Sequence, residues 1–302
     1  MMSDGKGVSS SHPSSVTLAC GTLSYRQQPL ERALEGIAKA GFPAVEIGCV
    51  CGYCEHVTPE TMSTADMDRL AKLVSQCGLF IASIAGHVDL EFPLLGKGPD
   101  AARDGFARLR GRIDLASHLG VPVVNTGLGV AGDDSGDELD LFYRHFDALL
   151  TYAEQHDVKI GLESHAGLTE TAAASLALCR RMGRPSLGIN YDAANVRFYA
   201  GADPVADLEA CADDDLRDHL IHVHIKDHAG GKGDWDFPPL GHGNINFAGL
   251  AAIFRHIGFR GPYSLEIEFQ GPDSTDPSPE VIDRGVAESY QFMKNMKLGA
   301  AS

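Results

Sequence analysis

Short apolar runs alternate with amphipathic stretches along the whole chain. The runs lie at 16–20, 44–48, 80–85, 121–126, 159–163, 187–192, 221–226 and 263–268. Their near-continuous Val, Ile, Leu and Ala content predicts strands covered on both faces, as in a parallel sheet. The first run starts at Val16 and the last at Tyr263, 247 residues apart over seven steps, or about 35 per unit. A strand with its crossover helix takes roughly 30 residues or more, so each unit has room for both. Between the runs, Leu30, Ala33, Leu34 and Ile37 make one helical stripe that Gly41 should stop. Met67, Leu70, Leu73 and Val74 make a second stripe, and Phe106, Leu109, Ile113 and Ala116 a third. Further helices are predicted over 139–155 and 204–220, with Asp137 and Asp203 as caps.

Eight strands alternating with helices over about 250 residues is the arithmetic of a single (β/α)8 TIM barrel, an α/β fold. A doubly wound open sheet would place a Gly-rich phosphate turn after its first strand, but Cys20-Gly-Thr-Leu-Ser24 has no G-x-G-x-x-G. No shift in composition marks a second domain. The expected organisation is a loose Ser- and Gly-rich tail, 1–15, followed by one barrel over 16–298.

Composition narrows the partners. Forty-one acidic against twenty-five basic residues, net −16 with histidine neutral, would repel a phosphate backbone. Nucleic acid is therefore not expected, and no apolar stretch approaches the ~20 residues of a membrane helix. Seven cysteines, an odd number without an export signal, predict reduced thiols in a cytoplasm. Cys49, Cys51, Cys54 and His56 lie close in sequence, yet no second Cys-x-x-Cys completes a zinc spacing, so buried or loop thiols are expected.

In such a barrel the chemistry sits at the C-terminal strand ends. There the chain reads Gly161-Leu-Glu163-Ser-His165, Gly188-Ile-Asn190-Tyr-Asp192, His222-Val-His224-Ile-Lys226-Asp227 and Ser264-Leu-Glu266-Ile-Glu268. Side chains alternate faces along a strand, so turning Leu162, Ile189, Val223 and Ile267 toward the helices turns the polar set inward. Glu, Asp, His and Glu gathered at one level repel or desolvate one another without a cation. Three oxygen ligands with one nitrogen suit Mn²⁺, Mg²⁺, Co²⁺ or Zn²⁺, and the ligand types do not choose among them.

Three stretches join these strings: Asp192-Ala-Ala-Asn195, Pro239-Leu-Gly-His-Gly-Asn-Ile-Asn-Phe247 and Gly261-Pro-Tyr-Ser-Leu-Glu266. Together they resemble the xylose isomerase-like barrel superfamily of sugar isomerases and epimerases, over roughly Thr17 to Met296. The resemblance implies Glu163, Asp192, His224 and Glu266 as metal ligands, with Glu268 as the lesser claimant to the fourth place. It also implies a small sugar or polyol as partner and leaves a homo-oligomer open. A divalent ion on a ketone oxygen and its neighbouring hydroxyl acidifies the C–H between them and stabilises an enediolate. Glu163 and Glu266 would exchange the proton from opposite sides, giving epimerisation, or isomerisation if it returns to the adjacent carbon.

His87, His165, Asn195, Lys226 and Glu46 are the expected substrate contacts, and His222 is placed below His224 as a supporting residue. The loop Gly230-Gly-Lys-Gly-Asp-Trp235 could cover the site. The ketose 3-epimerase branch is expected to carry a Glu six residues after the first ligand and an Arg six after the metal His. Thr169 and Gly230 stand there instead, and His242 replaces an acidic residue expected between the loop's two glycines. Glu266-Ile-Glu-Phe-Gln270 is more similar to the inosose dehydratase type. A lyase acting on a cyclic keto-polyol or keto-sugar is therefore the alternative to a keto-sugar or sugar-phosphate isomerase or epimerase.

Overall fold

The computed structural model describes residues 16–88, 98–128, 137–212, 214–270 and 277–298, so the expected tail lies outside the described residues. Eight parallel strands close into a barrel, each beside the next and the last beside the first. They are β1 (Leu18–Gly21), β2 (Ala44–Gly48), β3 (Phe80–Ala85), β4 (Val123–Thr126), β5 (Lys159–Glu163), β6 (Leu187–Asp192), β7 (Leu220–Ile225) and β8 (Tyr263–Leu265). The run pattern thus located every strand to within a few residues. β4 starts later than expected because Pro122 has no N–H for the ladder, although its carbonyl still accepts from Lys159 N at 2.8 Å. β8 stops at Leu265, so Glu266 and Glu268 lie just beyond it, where Glu266 N still donates to Ile225 O at 3.1 Å.

The longer helices are Leu30–Ala40, Thr64–Gln76, Gly98–Leu119, Asp137–Gln155, Ala172–Met182, Phe247–His256 and Pro279–Asn295. Leu30–Ala40 buries Ala33, Leu34 and Ile37 and ends at Gly41, whose φ of 103° is one that glycine adopts without a Cβ penalty. Ser63 opens Thr64–Gln76 through a capping box with Asp66, a device worth about 1 kcal/mol. The single helix expected over 204–220 is instead two, Pro204–Glu209 and Asp214–His219, and Leu220 opens β7. The second of these opens on Asp214 and Asp215, since aspartate is poor inside a helix and favoured at its start. Asp203 does cap Pro204–Glu209, accepting from Val205 N and Ala206 N at 2.9 Å. Asp137 is the first residue of its helix rather than a residue before it.

Leu162, Ile189, Val223 and Ile267 belong to the main hydrophobic core. With these aliphatics packed away, the polar residues between them meet inside the barrel.

A candidate metal centre and cavity at the strand ends

Across the barrel interior runs a connected polar layer. Asn125 Nδ2 donates to Glu46 Oε1 at 2.7 Å, and a Cβ on Gly161 would come within 2.2 Å of Asn125 Oδ1, so only glycine admits this side chain. His222 sits 2.8 Å from Asn190 Oδ1 through Nδ1 and 3.0 Å from Ser83 Oγ through Nε2. With both nitrogens used and the ring buried, desolvation pushes its pKa down to about 4, and the imidazole stays neutral. Glu46 Oε2 lies 2.9 Å from His224 Nε2.

Because Nε2 of His224 is held by Glu46, Nδ1 faces three carboxylates. It is 3.4 Å from Glu163 Oε2, 3.8 Å from Glu266 Oε2 and 3.9 Å from Asp192 Oδ2. One ligand atom from each of Glu163, Asp192, His224 and Glu266 lies within 4.8 Å of the others, and all four residues are buried. Register explains the meeting: Asp192 pairs with His224 across β6 and β7, and Glu163 pairs with Asn190 across β5 and β6.

The charges in this set push one another in opposite directions. Burial opposes ionisation of Glu163, but His224 and His87 outweigh it and hold the carboxyl well below its usual range. Burial lifts Asp192 to about 7, helped by Glu163, and also raises Glu266 against the pull of Lys226. His224 is held well above its usual value because Glu46, Glu163 and Glu266 overcome its burial. Asp192 Oδ1 accepts from Asn195 N at 2.9 Å, whereas Oδ2 is buried with no hydrogen-bond partner. An orphaned carboxylate oxygen beside two other carboxylates and an imidazole fits a divalent cation. Glu46, His222 and His224 also approach one another, but both nitrogens of His222 are already bonded, so that group serves as support.

A cavity opens above the set, lined by His87, Glu163, His165, Asn195, Lys226, Glu266 and Glu268 on its polar side. His87 Nδ1 accepts from Gly127 N at 3.2 Å, so Nε2 carries the proton and donates to Glu163 Oε2 at 2.8 Å. Asn195 Nδ2 donates to Glu163 Oε1 at 2.9 Å. Lys226 is buried; its ammonium donates to Glu266 Oε2 at 3.0 Å, to Glu268 Oε1 and to Asn195 Oδ1. Glu266, Glu268 and Asp192 raise its pKa against its burial, so it is a cation. Asp227 is turned away to the following loop. Four of the five expected substrate contacts therefore line the cavity; Glu46 does not, since it is engaged by His224 and Asn125.

A family model described as the xylose isomerase-like TIM barrel matches residues 34–296. The chain belongs to this family. The L-ribulose-5-phosphate 3-epimerase UlaE of Shigella flexneri serotype 5b is 23% identical over 235 residues, covering 74% of this chain and 78% of that protein. Among solved structures, D-psicose 3-epimerase of Clostridium cellulolyticum H10 superposes with a TM-score of 0.72 at 14% identity, covering 93% of this chain and 99% of that one. The probable 3-DHS dehydratase AsbF of Bacillus anthracis does so with a TM-score of 0.63 at 20% identity, covering 89% and 97%. At these identities the structural likeness is one of fold.

For this member of the family, the sequence did not point to Tyr53, Tyr199 or Phe237, which also line the cavity. Tyr53 OH donates to Glu268 Oε2 at 2.6 Å, and Tyr199 OH is hydrogen-bonded to His165 Nε2 at 2.8 Å. Tyr199 had a signal, standing four places after Asn195 in the continuous helical stretch 193–200, where such residues are neighbours on one face. Tyr53 had none, since it lies in the cysteine-rich turn after β2. In that turn Cys49 and Cys54 are buried and all three thiols are free. Among the described residues, no metal-holding group includes them.

Proposed function

We propose that this chain is a divalent-metal-dependent sugar isomerase or epimerase acting on a keto-sugar. The carrying observation is the buried set Glu163, Asp192, His224 and Glu266, with its orphaned Asp192 oxygen, beside a cavity lined by polar and aromatic side chains. The named activity of the Shigella relative supports ketose chemistry. When bound, the cation, Mn²⁺ in the first instance, would polarise a ketone oxygen and the adjacent hydroxyl as a Lewis acid.

The chain's own groups supply the proton traffic. Glu163, at the end of β5, and Glu266, just beyond β8, both reach the cavity from non-neighbouring parts of the barrel. One takes the proton from the carbon beside the carbonyl and the other returns one. His87 and Asn195 fix the orientation of the Glu163 carboxylate, and Lys226 holds that of Glu266.

The second reading is a dehydratase, favoured by the Lys226 ammonium between Glu266 and Glu268, which could protonate a departing hydroxyl. NMR in D₂O of the Mn²⁺-loaded protein with keto-sugars and keto-inositols separates the two. Deuterium at one carbon beside the carbonyl, abolished by Glu266→Gln, is the expected result. Loss of water from the substrate would move the chain to the lyases, and no exchange with any compound would overturn both readings.

A further inference from the structure

We infer that the molecule taken by this cavity is an uncharged polyhydroxy ketone and not a phosphate ester. This rests on the proposed function for the word ketone; the argument about charge stands on the cavity itself.

The first observation is the charge balance. Glu163, Glu266 and Glu268 line the cavity, Asp192 lies beneath them in the ligand set, and Lys226 is the only lysine or arginine among the described lining residues. That ammonium is already spent on Glu266 and Glu268. Four carboxylates against one ammonium and one divalent cation still leave a formal charge of −1. A phosphate dianion would be desolvated beside like charge, with no second lysine or arginine among the described lining residues to meet it.

The second observation is that the chain fills its own anion cradles. Gly241 N and Gly243 N donate to Asp227 Oδ2 at 2.9 Å, and His228 N and Ile245 N donate to Oδ1 at 2.9 and 3.2 Å. A glycine-rich turn with convergent amides is the kind of concavity that binds phosphate. Here a buried carboxylate occupies it, so closely that a Cβ on Gly243 would stand 2.2 Å from Asp227 Oδ1. In the loop before Trp235, Ala229 N, Gly231 N, Gly233 N and Asp234 N also donate to oxygens of the protein, at 3.0 to 3.1 Å.

The third observation is the chemistry of the rest of the lining. His165 Nδ1 and Trp235 Nε1 are buried without a hydrogen-bond partner, and both residues line the cavity. A hydroxyl both donates and accepts, so a polyol matches a lining that carries carboxylates, an amide, imidazoles and phenols. Tyr53, Trp235 and Phe237 add aromatic surface suited to the C–H faces of a sugar.

Trp235 is the only tryptophan in the chain, so its emission reports occupancy without turnover. The experiment titrates the Mg²⁺-loaded protein with L-ribulose, D-fructose and a keto-inositol, and with L-ribulose 5-phosphate and D-fructose 6-phosphate. The expected result is an emission change with a neutral compound and affinity about 100-fold weaker for its phosphate. Glu268→Gln, which removes one of the charges, should narrow that gap. A phosphate ester binding as tightly as its neutral partner, no response to any neutral compound, or a gap unmoved by Glu268→Gln would each overturn the inference. Neutral binding without deuterium exchange would instead overturn the proposed function and leave the inference standing.

Discussion

Glu46 Oε2 lies 2.9 Å from Nε2 of His224, 178 residues away in sequence, and this contact decides which imidazole nitrogen faces the carboxylates. Carboxylate partners of this kind orient a ligating histidine and raise its basicity. Glu46→Gln is therefore expected to weaken divalent-metal binding by about 10- to 100-fold with the barrel intact. Isothermal titration with Mn²⁺ and far-ultraviolet circular dichroism measure the two parts, and unchanged affinity would remove Glu46 from this role.

Lys226 is buried between Glu266 and Glu268, so deleting its charge strands two carboxylates. Lys226→Met should lower stability by about 3–5 kcal/mol, the usual cost of breaking a buried pair. Adding Glu268→Gln should restore part of that loss. Urea unfolding of the single and double variants gives the answer; equal stabilities would show that the pair carries no such coupling.

Asp227 accepts four backbone N–H groups, and its removal leaves buried donors unpaired. Each costs about 1–3 kcal/mol when orphaned, less whatever water recovers. For Asp227→Ala the expectation is a marked drop in melting temperature and faster amide exchange at Gly241, Gly243 and Ile245. Hydrogen exchange confined to wild-type rates there would contradict the anchoring role.

His165 and His222 are both pushed down to about 4, chiefly by burial. A base whose folded pKa lies below its unfolded value of about 6.5 costs nothing above pH 6.5. As pH falls toward 4, the unfolded chain takes up protons that the folded chain refuses, so stability is lost. The melting temperature should fall between pH 6.5 and 4.5, and His165→Gln should make that fall shallower. A variant with the wild-type slope would show that His165 does not contribute.

Much of this architecture is legible in the residues alone. The period of about 35 and the apolar runs specify eight strands, and alternation along each strand tells which side chains share a face. That is local geometry, so Glu163, Asp192 and His224 could be grouped before any contact was seen. The break in the helix over 204–220 is not visible in its apolar stripe, which runs on through Leu208, Leu216 and Leu220, and shows only in the helix-opening preference of Asp214 and Asp215. Tyr53 was missed because a turn has no periodicity to read.

The one-dimensional pattern determined the barrel, its polar rim and the residue types available to a cation. Tertiary structure decided the pairings. Glu46 turned from the cavity to His224, Lys226 turned to Glu266 and Glu268 and not to Asp227, and Glu266 rather than Glu268 came to lie 3.8 Å from His224 Nδ1. Each outcome depends on closing β8 onto β1 and on the register of strands far apart in sequence. Charge energies vary steeply over those few ångströms, whereas strand periodicity is set by the backbone one residue at a time.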